Sequence, residues 1–543
     1  MKSDRTAKWL TSRRSTIIVG AVGAYISILS IFAFRNLPYL SDGTFYIAEW
    51  PFACFAVVVV LLLVNLYLVS KKRTRPRKIL AILSALAVVS VLINAIAFAF
   101  GGDGTTSDRS HAAQVASPSR PIPAGPLFMA GAARGEITPS DYLMPMPLLY
   151  ILKFRWVNDP VYARVLAMSD GTQQYLFITL DMTLVPEAEE TLQFIHQQTG
   201  IPIRNIFISA THTHGTTPIS LIDYTNPADR RKSRKWYEEI KRTLVSTIAK
   251  ARSNMVPARY GYGEGQSLIN VNRDIVVGKK SELGSNFDRP SDKTIRMVRI
   301  EDLNGKVISL IVNYAVHSVV MNGSLSGIGT PITGDIAGRT SAKIEGQWGD
   351  AVVLWTMAAA GDQNPRFMTQ YTGPIKDGEP VRRMLGSAGS AILEYLSDEH
   401  VRDILKANAG FEATQTAPEI HTAEATALVD TIDAGKKQPY KLRLLTLGDI
   451  AFQGISAEVV TSIGKAVRET SPFQHTILVT AANGYEGYVA DDWEYDHQAF
   501  EVGDTRVKKG AVQPEFVKGF TGLFGDLTPR VSQVMTSSTS RSR

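Results

Sequence analysis

The stretch that decides the fold is LFITLDMTLVPEAEETLQFIHQQTGIPIRNIFISATHTHG, residues 176–215. It opens on a β-branched, apolar run (176–185) and closes on another (205–214), both strand-like in length and composition. Between them, PEAEETLQFIHQQTG (186–200) carries Pro and acids at its start and Gly at its end, the start and stop signals of a helix. A strand–helix–strand unit of this kind predicts an α/β domain with some parallel pairing. Downstream, VISLIVNYAVH (307–317) and AVVLWTMAAAG (351–361) read as further buried strands, with a helix at TSAKIEGQW (340–348) between them. No repeat of fixed period is present.

Three of the nine histidines close strand-like runs: His212 and His214 in SATHTHG, and His317 in NYAVHS. In an extended strand, residues two apart share a face. His212 and His214 are therefore expected to project together at a strand's carboxyl edge, where open α/β sheets bind ligands. Converging imidazoles with a carboxylate form a zinc site. A lone His-x-His also opens the amidohydrolase barrels. The metallo-β-lactamase-like hydrolases continue it as His-x-His-x-Asp-His, whereas Gly215, Thr216, Thr217 and Pro218 follow here. His111 has no chemical company in its segment and is assigned no role.

Composition narrows the rest. The chain has 543 residues, 45% of them hydrophobic and 20% charged, which excludes disorder for most of it. A single cysteine, Cys54, excludes an intramolecular disulfide, a thiolate zinc site and an iron–sulfur cluster. The net charge of +7 is uneven: residues 1–78 carry +9 and the remainder −2. A main domain that binds nucleic acid should carry its own basic patch, so nucleic acid is not an expected partner.

The basic excess flanks three apolar segments, about 16–34, 51–69 and 79–100, each long enough to cross ~30 Å of hydrocarbon as a helix. Eleven Lys and Arg lie before the first segment and between the second and third, and none lies in the 36–50 loop. Because such residues stay cytoplasmic, the N-terminus is expected inside and everything after Phe100 outside. Cleavage of the first span as a signal peptide would leave the large domain on the same side. Residues 101–125 read as a flexible linker, 126–530 as the catalytic domain and 531–543 as a disordered tail.

A longer series of segments is more specific than any one of them. GAARGEITP (131–139), DPVYARVLAMSDG (159–171), LFITLDM (176–182), SATHTHG (209–215), INVNRD (269–274) and NYAVHSVVMN (313–322) come in that order. TGDIAGRTSA (333–342), AAGDQNP (359–365), GISAEVVTSIG (454–464) and NGYEGYVADDWEYDHQAFEVG (483–503) follow. This succession resembles the neutral/alkaline, non-lysosomal ceramidase family. The resemblance implies an α/β catalytic domain with a mixed β-sheet, here preceded by three transmembrane helices.

It also implies one Zn2+ held by His212, His317, Glu458 and Tyr488. His214 and Arg273 would line the site and contact substrate, as would Tyr495. The expected reaction is hydrolysis of the amide of an N-acyl, ceramide-like membrane lipid by a zinc-activated water, with Tyr488 steadying the oxyanion and His214 moving protons. Asp181, Asp335 and Asp362 are expected in supporting rather than catalytic roles.

Two departures stand out. The family's Gly-Asp-x-Ser-Pro element reads Gly361-Asp362-Gln363-Asn364-Pro365, and Asn364 is no nucleophile. The family's C-terminal immunoglobulin-like domain is not expected here, and the spans would supply attachment to the bilayer. The rival readings are a zinc hydrolase of another amide, peptide or ester, and a degenerate lipid-binding membrane protein.

Overall fold

The computed structural model describes residues 128–148, 153–219, 226–321, 330–367, 370–376, 379–384 and 389–539. The three predicted spans and the linker lie outside the described residues. Among the described residues no helix is long and apolar enough to cross a membrane.

Two sheets form the centre. The first has eight strands: β1 (Met129–Glu136), β2 (Tyr162–Ser169), β3 (Gln174–Leu180), β4 (Ile206–Ala210), β5 (Val256–Gln266), β6 (Thr294–Asp302), β7 (Val307–Tyr314) and β8 (Val352–Met357). Their order is β8-β7-β6-β5-β1-β2-β3-β4. The second has β9 (Ile420–Asp430), β10 (Lys437–Leu447), β11 (Ile450–Ile455) and β12 (His475–Val479), side by side in chain order. The helices are α1 (Ala188–Thr199), α2 (Pro227–Ser253), α3 (Asp335–Trp348), α4 (Gly389–Asn408), α5 (Thr461–Arg468), α6 (Asp492–Asp496), α7 (Phe500–Asp504) and α8 (Val512–Thr539).

Alternation along the strands sorts side chains into layers. Ile206, Ile208 and Ala210 of β4 pack with Trp236, Ile240 and Leu244 of α2. Phe207, on the opposite face, meets Phe177 and Phe452, with ring centroids 4.8 Å from Phe177 and 6.4 Å from Phe452. Phe452 belongs to β11, so the two sheets stack face to face. Helices α3 and α4 cover β7 and β8, and α5 and α8 cover the outer face of the second sheet. The result is four layers: helices, sheet, sheet, helices.

Most neighbours are antiparallel. The parallel pairs in the two main sheets are β3/β4, β7/β8 and β11/β12. A helix lies between the strands of each pair: α1, α3 and α5 in turn. The predicted strand–helix–strand unit at 176–215 is thus the first of three, and the mixed sheet is as expected. Gly200 caps α1 in the left-handed conformation at φ 73°, as its position after Thr199 implied. The helix read at 340–348 begins five residues earlier, at Asp335. There Gly338 faces Asp181, whose Oδ2 would lie 3.2 Å from any Cβ at that position.

The strands are shorter than their apolar runs. β3 stops at Leu180, β4 at Ala210, β7 at Tyr314 and β8 at Met357. In each case the chain leaves the ladder before the apolar run ends. Helix α8 runs on to Thr539, through the segment read as a disordered tail. No Pro or Gly follows Pro529 to break it.

Helix α4 buries His400 completely, with its ring 4.7 Å from that of Tyr314 and Nδ1 3.1 Å from Ser267 Oγ. Burial depresses its pKa to about 3. The unfolded chain therefore takes up the proton first on acidification. The stabilisation is complete above about pH 6.5 and is lost as pH falls toward 3, at roughly 1.4 kcal/mol per unit. His400→Leu should flatten the dependence of unfolding free energy on pH between about 6 and 4. An unchanged slope in urea titrations would show that another group governs acid lability.

Candidate metal centre

Three loops that leave parallel strands at their carboxyl ends build the site: His212 follows β4, His317 follows β7 and Glu458 follows β11. A bridge between Thr213 and Ser318, with His214 N donating to Ser318 O at 3.0 Å, locks the two histidine loops together. Gly215 lets the segment before α3 pass close by, since a Cβ there would lie 2.3 Å from Thr333 O. His212 and His214 converge, but not as neighbours on one strand face. His212 lies past the end of β4 with φ 58°, a conformation that non-glycine residues adopt sparingly. Extended pairing of Glu458–Val459 with Tyr488–Val489 sets Glu458 directly beside Tyr488.

The atoms meet closely. Glu458 Oε2 is 3.0 Å from His212 Nε2 and 2.8 Å from His317 Nε2. His214 Nε2 is 3.2 Å from His212 Nε2, and Tyr488 Oη is 3.1 Å from His317 Nε2. Glu458, His212, His317 and Tyr488 are all buried, while His214 is partly exposed. Ring Nδ1 of His212 lies 2.8 Å from Thr183 O, and that of His317 3.0 Å from Gln363 O. A carbonyl oxygen only accepts, so both Nδ1 atoms carry the hydrogen, which leaves Nε2 as the ligating atom of each ring.

This donor set fits a zinc ion. Burial is the largest influence on His317, and with the nearby charge of Arg273 it depresses the pKa to about 4, so the ring is neutral at pH 7. Its Nε2 lone pair then faces the lone pairs of a carboxylate less than 3 Å away, an arrangement that needs a cation between them. The nitrogen and oxygen donors are those zinc selects. Their spacing is near the edge of a tetrahedron with ~2.0–2.1 Å bonds, roughly 3.3 Å.

The surrounding groups are equally constrained. Burial, then repulsion from Glu458, pushes the Tyr488 hydroxyl well above its ordinary pKa, so it stays a proton donor. Burial and the neighbouring histidines hold His214 well below the ordinary value, and it is neutral. Arg273 Cζ lies 5.4 Å from the centre of the Tyr488 ring. Its Nε donates to Glu501 Oε1 at 2.8 Å and its Nη1 to Asn364 Oδ1 at 3.4 Å.

His212, His214, Arg273, His317, Glu458 and Tyr488 are therefore brought together. Tyr495 is not: it sits in α6, its hydroxyl donates to Val507 O at 2.5 Å, and no hydrogen bond or ring contact joins it to the histidines. Two partners went unassigned in the sequence, though both lie in quoted motifs. Tyr485 donates to Glu458 Oε1 at 2.6 Å, and Glu501 clamps Arg273. The signal for Tyr485 was its place three residues before Tyr488.

The three aspartates support the frame. Asp181 accepts from Arg164, Asp335 from Val320 N and Met321 N, and Asp362 from Thr461 N and Asn272 Nδ2.

Known proteins provide an outside reference. No family model matches the chain. Neutral ceramidase B of Dictyostelium discoideum is 28% identical over 275 residues, covering 48% of this chain and 37% of the relative. Neutral ceramidase of Drosophila pseudoobscura pseudoobscura is 22% identical over 272 residues, 45% of this chain and 37% of the relative. The chain thus spans little more than a third of the length of these curated relatives. The crystal structure of neutral ceramidase from Pseudomonas aeruginosa superposes with a TM-score of 0.58 at 16% identity, covering 73% of this chain and 74% of that one. A ceramidase complexed with C2 gives 0.57, with 74% and 76% covered. The structural likeness establishes the fold, and the sequence matches, made over part of its length, place this chain among the relatives of the neutral ceramidases.

Proposed function

We propose that this protein is a membrane-anchored, extracytoplasmic zinc amidohydrolase that cleaves the amide of an N-acyl lipid of the ceramide type to a free amine and a fatty acid. The observation that carries the reading is the convergence of His212, His317 and Glu458 on one point, beside a protonated Tyr488, in a relative of the ceramidases. When bound, zinc would activate a water for attack and polarise the acyl carbonyl.

The chain's own residues supply the rest. Thr183 O and Gln363 O fix the tautomers of His212 and His317, so that both rings offer Nε2. Tyr488 keeps its proton and can donate it in a hydrogen bond to oxygen charge that develops on the carbonyl. His214, neutral and partly exposed, is the group suited to take a proton during attack and return it to the leaving amine. Arg273, clamped by Glu501, presents a fixed positive charge to the polar end of the substrate.

Asn364 is an amide in a short strand paired with 270–272, with its carbonyl toward Arg273. It has no nucleophilic hydroxyl or thiol. Asn364→Ala should retain turnover within about tenfold of wild type, in keeping with the modest net worth of hydrogen bonds made by a neutral amide. A trapped acyl-enzyme during turnover would contradict this account.

The anchor is supported by the basic flanks of the three apolar segments and by the loop between two of them, which holds no Lys or Arg. A flexible 25-residue linker, as read from the sequence, would have a mean span of about 25–30 Å and would keep the domain near the bilayer. Deleting residues 1–110 should therefore lower hydrolysis of N-acyl lipid in vesicles and leave hydrolysis of a soluble short-chain amide nearly unchanged at equal zinc occupancy. Equal loss on both substrates would assign the spans to folding. No loss on either would favour a soluble amide as the substrate, and no hydrolysis of any amide by zinc-loaded protein would favour a lipid-binding role.

A further inference from the structure

Next to Arg273, three acids from separate elements meet. Asp274 follows Arg273 on the strand Asn270–Val277, Glu494 belongs to α6 and Glu501 to α7. One oxygen of each lies within 4.8 Å of an oxygen of the other two. All three side chains are 0% exposed. In each, one oxygen is satisfied: Ser281 Oγ donates to Asp274 Oδ1 at 3.2 Å, Asp491 N to Glu494 Oε2 at 3.0 Å, and Arg273 Nε to Glu501 Oε1 at 2.8 Å. The other oxygen of each, Asp274 Oδ2, Glu494 Oε1 and Glu501 Oε2, is buried with no hydrogen-bond partner.

Buried carboxylate oxygens without partners are costly, and three together repel one another. Arg273 pairs with Glu501 and Arg289 also acts on Asp274, but Asp362 adds a fourth acid nearby, so negative charge stays in excess. We propose that Asp274, Glu494 and Glu501 hold a divalent cation of the Ca2+ or Mg2+ class at a site separate from the zinc centre. An all-oxygen carboxylate set suits these hard ions, and it offers neither the nitrogen nor the sulfur donors that favour zinc. Burial and mutual repulsion raise all three carboxyls, Asp274 to about 7 and Glu494 to about 11, so the cluster is ill suited to full ionisation without a cation.

The ion would tie α6 and α7 to the strand that carries Arg273. It would thereby hold Glu501 where it clamps the guanidinium. The three acids are then positioning residues, acting on the zinc site through Arg273. The site does not depend on the hydrolase reading, because its occupancy is measured separately from zinc and from turnover.

The test uses full-length protein in detergent, stripped of metal, restored with one equivalent of zinc and titrated with Ca2+ or Mg2+ alone up to about 10 mM. That exceeds the ~10⁻⁴–10⁻³ M dissociation constants of weak extracellular calcium sites. The expected result is one additional ion per chain and an unfolding temperature that rises by several degrees at saturation. Glu494→Gln and Asp274→Asn should each weaken that binding at least tenfold and leave zinc content unchanged. If wild-type protein binds no additional ion and its unfolding temperature does not move, the acids share protons and the proposal fails. An unaltered Ca2+ response in both variants would overturn it equally. Should a variant not fold, the ion count of wild type alone decides.

Discussion

His317→Ala is expected to yield a folded protein without zinc and with amide hydrolysis reduced on the order of 10³-fold or more. Electrophilic assistance by a metal is worth several kcal/mol, and each ~1.4 kcal/mol is a factor of ten in rate. His317 is fully buried and offers Nε2 to the same point as Glu458 Oε2 and His212 Nε2. Removing the ring deletes one of the donors that converge there. Elemental analysis and fatty-acid release, measured on the same preparation, check both halves. A variant that keeps stoichiometric zinc and near-wild-type turnover would remove His317 from the centre. His214 would then be the first alternative donor, since its Nε2 lies 3.2 Å from that of His212.

The largest effect on stability is expected at Arg164, a side chain with 0% exposure between two buried acids. Its Nη1 lies 2.6 Å from Asp181 Oδ2 and its Nε 2.8 Å from Glu345 Oε1. Arg134 also pairs with Glu345, from a more exposed position. Arg164→Met keeps much of the volume and strands Asp181, a change that costs about 3–5 kcal/mol when a buried ion pair loses one partner. Urea unfolding of the catalytic domain should show a loss in that range. A loss below about 1 kcal/mol would mean that the pair contributes little. The effect should reach the site, because Asp181 stands two residues before Thr183, whose carbonyl orients His212. Zinc affinity should fall with stability, by about the 10–100-fold typical of groups that orient ligands.

Much of this arrangement was legible in the sequence, and the reasons differ by residue. Pro186, the acids after it and Gly200 act locally, so α1 could be read from 15 residues of chain. His212, His317 and Glu458 were legible through the succession of motifs, although 141 residues separate His317 from Glu458. The manner in which His212 and His214 converge was not legible. A run of Ile, Phe and Ser reads as strand to its end, whereas the hydrogen bond from Thr211 N to Leu180 O and the turn at His212 are tertiary events. The second sheet escaped notice because its alternation, polar on much of β9, is shared by many loops and edges. Tyr495 was named through a family motif, and its hydroxyl is held by Val507 O rather than turned to the histidines. Glu501 and Tyr485 sat inside quoted motifs, but their roles depend on partners 228 and 27 residues away.

The central claim is that one zinc ion at His212, His317 and Glu458 sustains the hydrolysis of an N-acyl lipid amide. The most direct measurement is the zinc content of active, full-length protein alongside fatty-acid release from N-acyl lipid vesicles, as a chelator removes the metal stepwise and zinc is then added back. Turnover proportional to zinc, reaching its maximum near one ion per chain and recovering on readdition, is the predicted result. Undiminished hydrolysis by zinc-free protein would contradict it.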